Sequence, residues 1–194
     1  GHLIRPKNKQ EQFAGPYGTT TWENYARFGI GHEYRVPLWE LVFHDCVVAT
    51  WYWGDSNDFL LQAAPEYTGK KEAFNVLYGT MPMLWADHEG SWTTDRKVFL
   101  QVVRNVCPVG RAVAEAEMKD HRFLTEDRSI QQTRFSDGTV CVVNFGSTSQ
   151  RVKIGRKEYL LGQYGYAAIG PTLRHLRHIV NGAEVVESGQ PSRR

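Results

Sequence analysis

The chain has 194 residues, 41% of them hydrophobic and 23% charged, enough apolar material for a sizeable core but short of the roughly 250 residues of a complete (β/α)8 barrel. The four arginines and two glutamates of residues 171–194 account for the net charge of +2, so residues 1–170 are formally neutral and show no basic stripe suited to nucleic acid. No run of about 18 apolar residues exists, so no transmembrane helix is expected.

Residues 1–18 are polar, with Gly15-Pro16 and Gly18 as breakers, and read as a loop. Thr20-Thr21-Trp22-Glu23 has the form of a capping box, which predicts a short helix through Phe28 that stops near Gly29 or Gly31. Leu38-Trp39-Glu40-Leu41-Val42-Phe43-His44 is nearly all apolar, as expected of a strand covered on both faces in a parallel sheet, with Pro37 at its first position. Residues 46–53 are apolar and aromatic, and Gly54-Asp55-Ser56-Asn57-Asp58 is a loop. The pattern predicts a short helix over 70–77 and a strand over 81–85. A helix capped by Thr94 carries Val98, Phe99, Val102, Val103 and Val106 at helical spacing. Pro108 should end or kink it, and residues 112–118 should form one more helical piece.

From about residue 120 the texture changes to short strands and turns. Strands over 130–135 and 139–145 flank Ser136-Asp137-Gly138, a hairpin signal. Further strands are expected over 151–154, 158–161 and 164–169, with a last hairpin around Asn181-Gly182 and a frayed end. This spacing suggests a small antiparallel sandwich. The fold class is α/β followed by all-β, with a boundary between residues 118 and 119; all six tryptophans precede it.

Three widely spaced cysteines, Cys46, Cys107 and Cys141, make neither a disulfide framework nor a zinc motif and read as buried free thiols. Chemistry concentrates elsewhere. On a strand, Glu40 and His44 share one side and Asp45 emerges at the C-terminal end, where ligands bind in parallel α/β proteins. A carboxylate there can act as acid, base or nucleophile, or accept bonds from hydroxyls. The alternative is structural: Glu40 pairs with Arg35, and His44 and Asp45 cap local backbone. Trp51-Tyr52-Trp53-Gly54-Asp55 sets indoles beside a carboxylate, which suits a pyranose; the alternative is core tryptophans and a solvated turn. Asp55, Asn57 and Asp58 lack the acidic twelfth position of a calcium loop. Tyr78-Gly79-Thr80 closes another candidate strand that reaches the same mouth. Asp87-His88-Glu89 reads as a solvated turn, and His175 and His178 as tail residues without a catalytic role. No metal site or cofactor is expected.

Arg35-Val36-Pro37-Leu38-Trp39-Glu40-Leu41-Val42-Phe43-His44-Asp45, then Trp51-Tyr52-Trp53-Gly54-Asp55 and Leu77-Tyr78-Gly79-Thr80, resembles the last part of a bacterial glycoside-hydrolase barrel. The stretches 120–125, 131–135, 137–138 and 143–146 resemble the β-sandwich that follows it, and the nearest family is that of the endo-α-N-acetylgalactosaminidases and their exo-acting relatives. The resemblance spans residues 20 to 170. It implies the C-terminal portion of a (β/α)8 barrel over 1–118 and a small antiparallel β-sandwich over 119–194. It also implies a retaining glycosidase whose catalytic carboxylate pair, with the first barrel strands, lies upstream, so that this chain alone is inactive. No catalytic residue can be matched to a position here. The resemblance implies sugar-facing roles for His44, Asp45, Trp53 and Asp55, with His44 holding Asp45 or touching the sugar, and the strand reading adds Glu40 and Tyr78 to the candidate substrate-binding set. The implied partner is a carbohydrate, met outside the cell or in the periplasm. The other readings are a non-catalytic carbohydrate-binding module and a structural piece. The chain opens Gly1-His2-Leu3, read as an artificial, processed or cut end.

Overall fold

The computed structural model describes residues 13–15, 18–20, 27, 30–51, 65–82 and 91–189. Residues 13–20 hold a small hairpin rather than only a loop: β1 (Phe13–Gly15) pairs antiparallel with β2 (Gly18–Thr20). Gly15, one of the expected breakers, is the last residue of β1 and pairs with Gly18. Thr20 is the last residue of β2, and the helix expected after it falls largely outside the described residues.

The expected strand over 38–44 is instead a helix, α1 (Leu38–Phe43). Its bonds run Leu41 N to Pro37 O at 2.9 Å and His44 N to Glu40 O at 3.2 Å. A short apolar run is equally compatible with helix and strand, and which one forms depends on where backbone partners lie. Here they lie four residues back. Leu38 and Val42 are 69% and 63% exposed, whereas Glu40 and His44, one turn apart, face inward.

The parallel pairing arises just beyond. β3 (Thr50–Trp51) pairs in parallel with β4 (Met81–Pro82), and Met81 N reaches Ala49 O at 3.0 Å. A parallel pair needs a crossover. It includes a 3-10 turn over Pro65–Tyr67 and α2 (Thr68–Tyr78). α2 ends at Gly79, whose φ of 68° is the left-handed C-cap, and Thr80 N returns to Asn75 O at 3.0 Å. Gly79 is required twice over, because a Cβ there would lie 2.6 Å from His44 Nε2.

α3 (Ser91–Val113) starts three residues before Thr94 and runs through Pro108 instead of stopping there. Proline removes the helical bond to the carbonyl four residues back, that of Arg104, and its ring crowds the same turn. The Asn105 carbonyl accepts from His175 Nε2 at 2.8 Å and from the Tyr166 hydroxyl at 3.1 Å. The helical piece expected up to residue 118 does not form: α3 ends at Val113, and Met118 opens β5 (Met118–Phe123).

Antiparallel strands follow: β6 (Ile130–Phe135), β7 (Val140–Asn144), β8 (Gln150–Ile154), β9 (Lys157–Leu161), β10 (Tyr166–Ile169), β11 (Arg174–Val180) and β12 (Ala183–Gly189). Six form one sheet in the order β12-β11-β10-β7-β6-β5, and β8 and β9 form a separate hairpin. The expected turns are present. Gly138 has φ 90°, and Asn181 and Gly182 have φ 52° and 82° between Val180 and Ala183, a two-residue primed hairpin.

Alternation sends the sheet's side chains to two cores. Ile130, Val142, Ala167 and Leu176 pack against Val152, Tyr159 and Leu161 of the β8–β9 hairpin. Phe135, Cys141, Val143 and Tyr166 pack on the other side with Phe74, Leu77 and Tyr78 of α2 and Val109 and Val113 of α3. The second layer of the expected sandwich is thus a single hairpin, and helices from the first half cover the opposite face. The order is α/β followed by β, and one core crosses residue 118. Among the described residues the parallel part amounts to one strand pair, and no helix is long and apolar enough to cross a membrane.

Candidate functional site

α1 and the end of α2 bring Glu40 and Tyr78 to one cleft of about 560 Å³, together with Arg35, Trp39 and Thr50. Glu40 is 7% exposed; burial raises its carboxyl above the ordinary range, against the pull of Arg35 and His44. Burial also raises the Tyr78 hydroxyl, on which the cation of Arg35 and the carboxylate of Glu40 act in opposite senses. Arg35 lies 5.9 Å from the Phe74 ring centroid, so packing holds its guanidinium as well as charge. Trp39, 56% exposed, adds an indole with 4.6 Å between its ring centroid and that of Phe43. A carboxyl, a phenol, a guanidinium and an accessible indole can hydrogen-bond hydroxyls and cover the apolar face of a sugar ring.

The remaining expected site residues fall elsewhere. His44 lines a smaller cavity of about 260 Å³ with Gly79, Met81 and Gly110, across the shared wall of residues 47–49. Its Nδ1 is 2.7 Å from Ala116 O, and its ring packs on Phe135 at 4.9 Å. It therefore pins α1 to the turn before β5 and does not hold Asp45. Asp45 is exposed in the turn after α1 and accepts from the Cys46 thiol at 3.4 Å. That contact raises the Cys46 thiol, which is exposed rather than buried. Cys141 is buried as expected, its thiol pushed up to about 12 by burial. The strand-end argument for Glu40, His44, Asp45 and Tyr78 does not hold, because the first three belong to α1 and its turn and Tyr78 ends α2. What unites Glu40 and Tyr78 is the cleft. Trp53, Asp55 and the Asp87-His88-Glu89 triplet lie outside the described residues.

Two cleft residues were not singled out for binding by sequence. Arg35 entered only as a partner for Glu40, and Trp39 only as a core residue of a strand. The signal for Trp39 was its place beside Glu40, readable only once 38–43 is known to be helical. His175 and His178 are not tail residues: both lie in β11, and His175 is fully buried against α3. Among the described residues no group of three His, Cys, Asp or Glu is placed to hold a metal ion.

A family model described as glycosyl hydrolases related to GH101 family, GH129, matches residues 4–134. That span contains every residue of the cleft and runs through the helices into β6. No curated protein matches the chain.

Proposed function

Because the chain belongs to the glycosyl hydrolases related to GH101 family, GH129, we propose that it supplies a sugar-binding wall to an enzyme that cleaves glycans at α-linked N-acetylgalactosamine. The observation that carries the reading is the cleft shared by Arg35, Glu40, Tyr78 and Trp39. The Arg35 guanidinium donates to ring or hydroxyl oxygens, the Glu40 carboxyl accepts from a hydroxyl, the Tyr78 hydroxyl does either, and Trp39 covers an apolar sugar face. Asp45 at the neighbouring turn, and Trp53 and Asp55 directly after β3 in the chain, extend the contacts, while His44 orients α1.

In this reading the β3–α2–β4–α3 succession is the late part of a (β/α)8 barrel, supported by the parallel pairing of β3 and β4. Hydrolysis is retaining, with a carboxylate nucleophile and a carboxylic acid/base about 5–5.5 Å apart. The resemblance of residues 35–80 to late strands supports a pair carried on strands upstream. The setting is extracellular or periplasmic, where such glycans are met, in bacteria.

Calorimetry of the chain with an α-N-acetylgalactosamine-bearing glycopeptide tests the cleft. Glu40→Gln and Tyr78→Phe should each weaken binding tenfold or more. Unchanged affinity in both variants removes the cleft from the reading. Binding without sugar release by the longest form of the protein returns the non-catalytic binding module in its place.

A further inference from the structure

A second, larger cleft of about 770 Å³ opens between α3 and the β11–β12 hairpin. Its rim is basic: Lys97 and Arg104 lie seven residues apart on α3, so they share a face about two turns apart. Its apolar wall is Leu100, Pro108 and Val186, and Ser188 offers a hydroxyl from β12.

The floor is built rather than incidental. Glu72 of α2 is 1% exposed and accepts from Asn105 Nδ2 at 2.8 Å and from Gln101 Nε2 at 3.5 Å. Arg177 of β11 stands 3.5 Å from the same carboxylate and also bonds Glu184 at 2.9 Å. Asn105 and Gln101 each commit one N–H to Glu72, and both line the cleft, where an amide side chain can also accept from a ligand hydroxyl. His175 is fixed from below through Nε2 to Asn105 O and to the Tyr166 hydroxyl at 3.0 Å. The cleft thus combines acceptors suited to sugar hydroxyls with two cations suited to an anionic substituent.

We propose that this cleft is an auxiliary binding site for an acidic saccharide, a sugar carrying a carboxylate or a sulfate ester. Lys97 and Arg104 bind the anionic group, and Asn105, Gln101 and Ser188 bind hydroxyls. The site holds the enzyme on acidic regions of a glycan while the reacting residue occupies the other cleft. It rests on the carbohydrate reading above, and it is separable from that reading because the two clefts share no residue.

Calorimetry with sialyllactose, sulfated lactose, lactose and sodium sulfate tests it, with the His175 ring resonances recorded by NMR as a local reporter. Both acidic sugars should bind and shift those resonances, and lactose should bind at least tenfold more weakly. The double variant Lys97→Ala/Arg104→Ala, changed only at exposed positions, should lose tenfold or more for both acidic sugars with no change in melting temperature. Val186→Glu should do the same by placing a negative charge in the wall. Glu40→Gln should leave this binding intact, whatever it does at the other cleft. Equal affinity for lactose, sulfate alone binding as tightly as sulfated lactose, unchanged affinity in the double variant, or no binding to the wild type would each overturn the proposal.

Discussion

Residues 118–189 and residues 30–82 are both rich in short apolar runs, yet they find their backbone partners in different ways. In the sheet, β5, β6 and β7 pair with chain neighbours, as do β10, β11 and β12, and each hairpin turn carries its own signal. In the earlier region β3 pairs with β4 across a helix and some thirty residues. A strand whose partner is next in sequence carries its register in its own alternation and its turn. A strand whose partner is remote has neither, and the run over 38–43 takes helical bonds instead. The core nevertheless joins the regions, with Phe74 of α2 against Phe145 at a ring separation of 4.4 Å.

The strongest way to break this comparison is Phe74→Ala. The side chain is fully buried between the regions, so the loss should be about 3–5 kcal/mol. All six tryptophans lie in residues 22–92, so their fluorescence reports on the first region, while far-UV dichroism reports largely on the sheet. Both probes should show one shared, lowered transition; a sheet signal that stays at its original midpoint would mean that the regions are independent. Thr133→Val is the next test. The buried Thr133 hydroxyl donates to Leu77 O at 2.5 Å, filling a carbonyl left open at the end of α2. Its removal should cost about 1–3 kcal/mol in urea unfolding, and a neutral result would show that the helix end needs no help from the sheet.

A smaller effect sharpens the picture of the sheet alone. Asp127, in the β5–β6 turn, is pushed down to about 2 by hydrogen bonds from Thr125 and from the Ser129 backbone and hydroxyl. Its folded value lies below its unfolded value, roughly 3.9. Its contribution is therefore present above that pH and lost as pH falls toward 2. Asp127→Asn should flatten the fall of melting temperature over this window, and an unchanged slope would remove the turn from acid sensitivity. The smallest expected change tests α1. Val42 is largely exposed, so Val42→Lys should move stability by no more than about 0.5 kcal/mol. A strand covered on both faces would lose more than about 2 kcal/mol from a buried ammonium, and a melt of that size would restore the strand.

The site was legible by halves. Glu40 stood out as a carboxyl embedded in an apolar run and Tyr78 as the close of another candidate strand, and the structure does bring them together. The reason expected was wrong: both were placed on strands opening at one mouth, whereas each sits on a helix. His44 stood out equally, but a buried imidazole with a carbonyl beside each ring nitrogen looks the same in sequence as a binding one. Trp39 went unnoticed because its exposure follows from the hand and pitch of α1. The α3–β11 cleft left almost no trace, since Glu72, Asn105 and His175 are far apart in the chain and meet only when helix and sheet dock.

What the amino-acid order determined by itself is the local geometry: the hairpins at Asp137-Gly138 and Asn181-Gly182, the alternating faces of β6, β7 and β10, and the helical periods of α2 and α3. These depend on steric preferences and side-chain spacing within about ten residues. The tertiary structure alone decided that 38–43 is a helix, that α3 passes through Pro108, and that helices cover one face of the sheet. The docking of the helices on the sheet turns on where distant partners stand, such as His175 and Tyr166 for the Asn105 carbonyl and Thr133 for that of Leu77. A buried polar group must be satisfied from wherever a donor can reach it, and the local pattern does not record that donor's place in the chain.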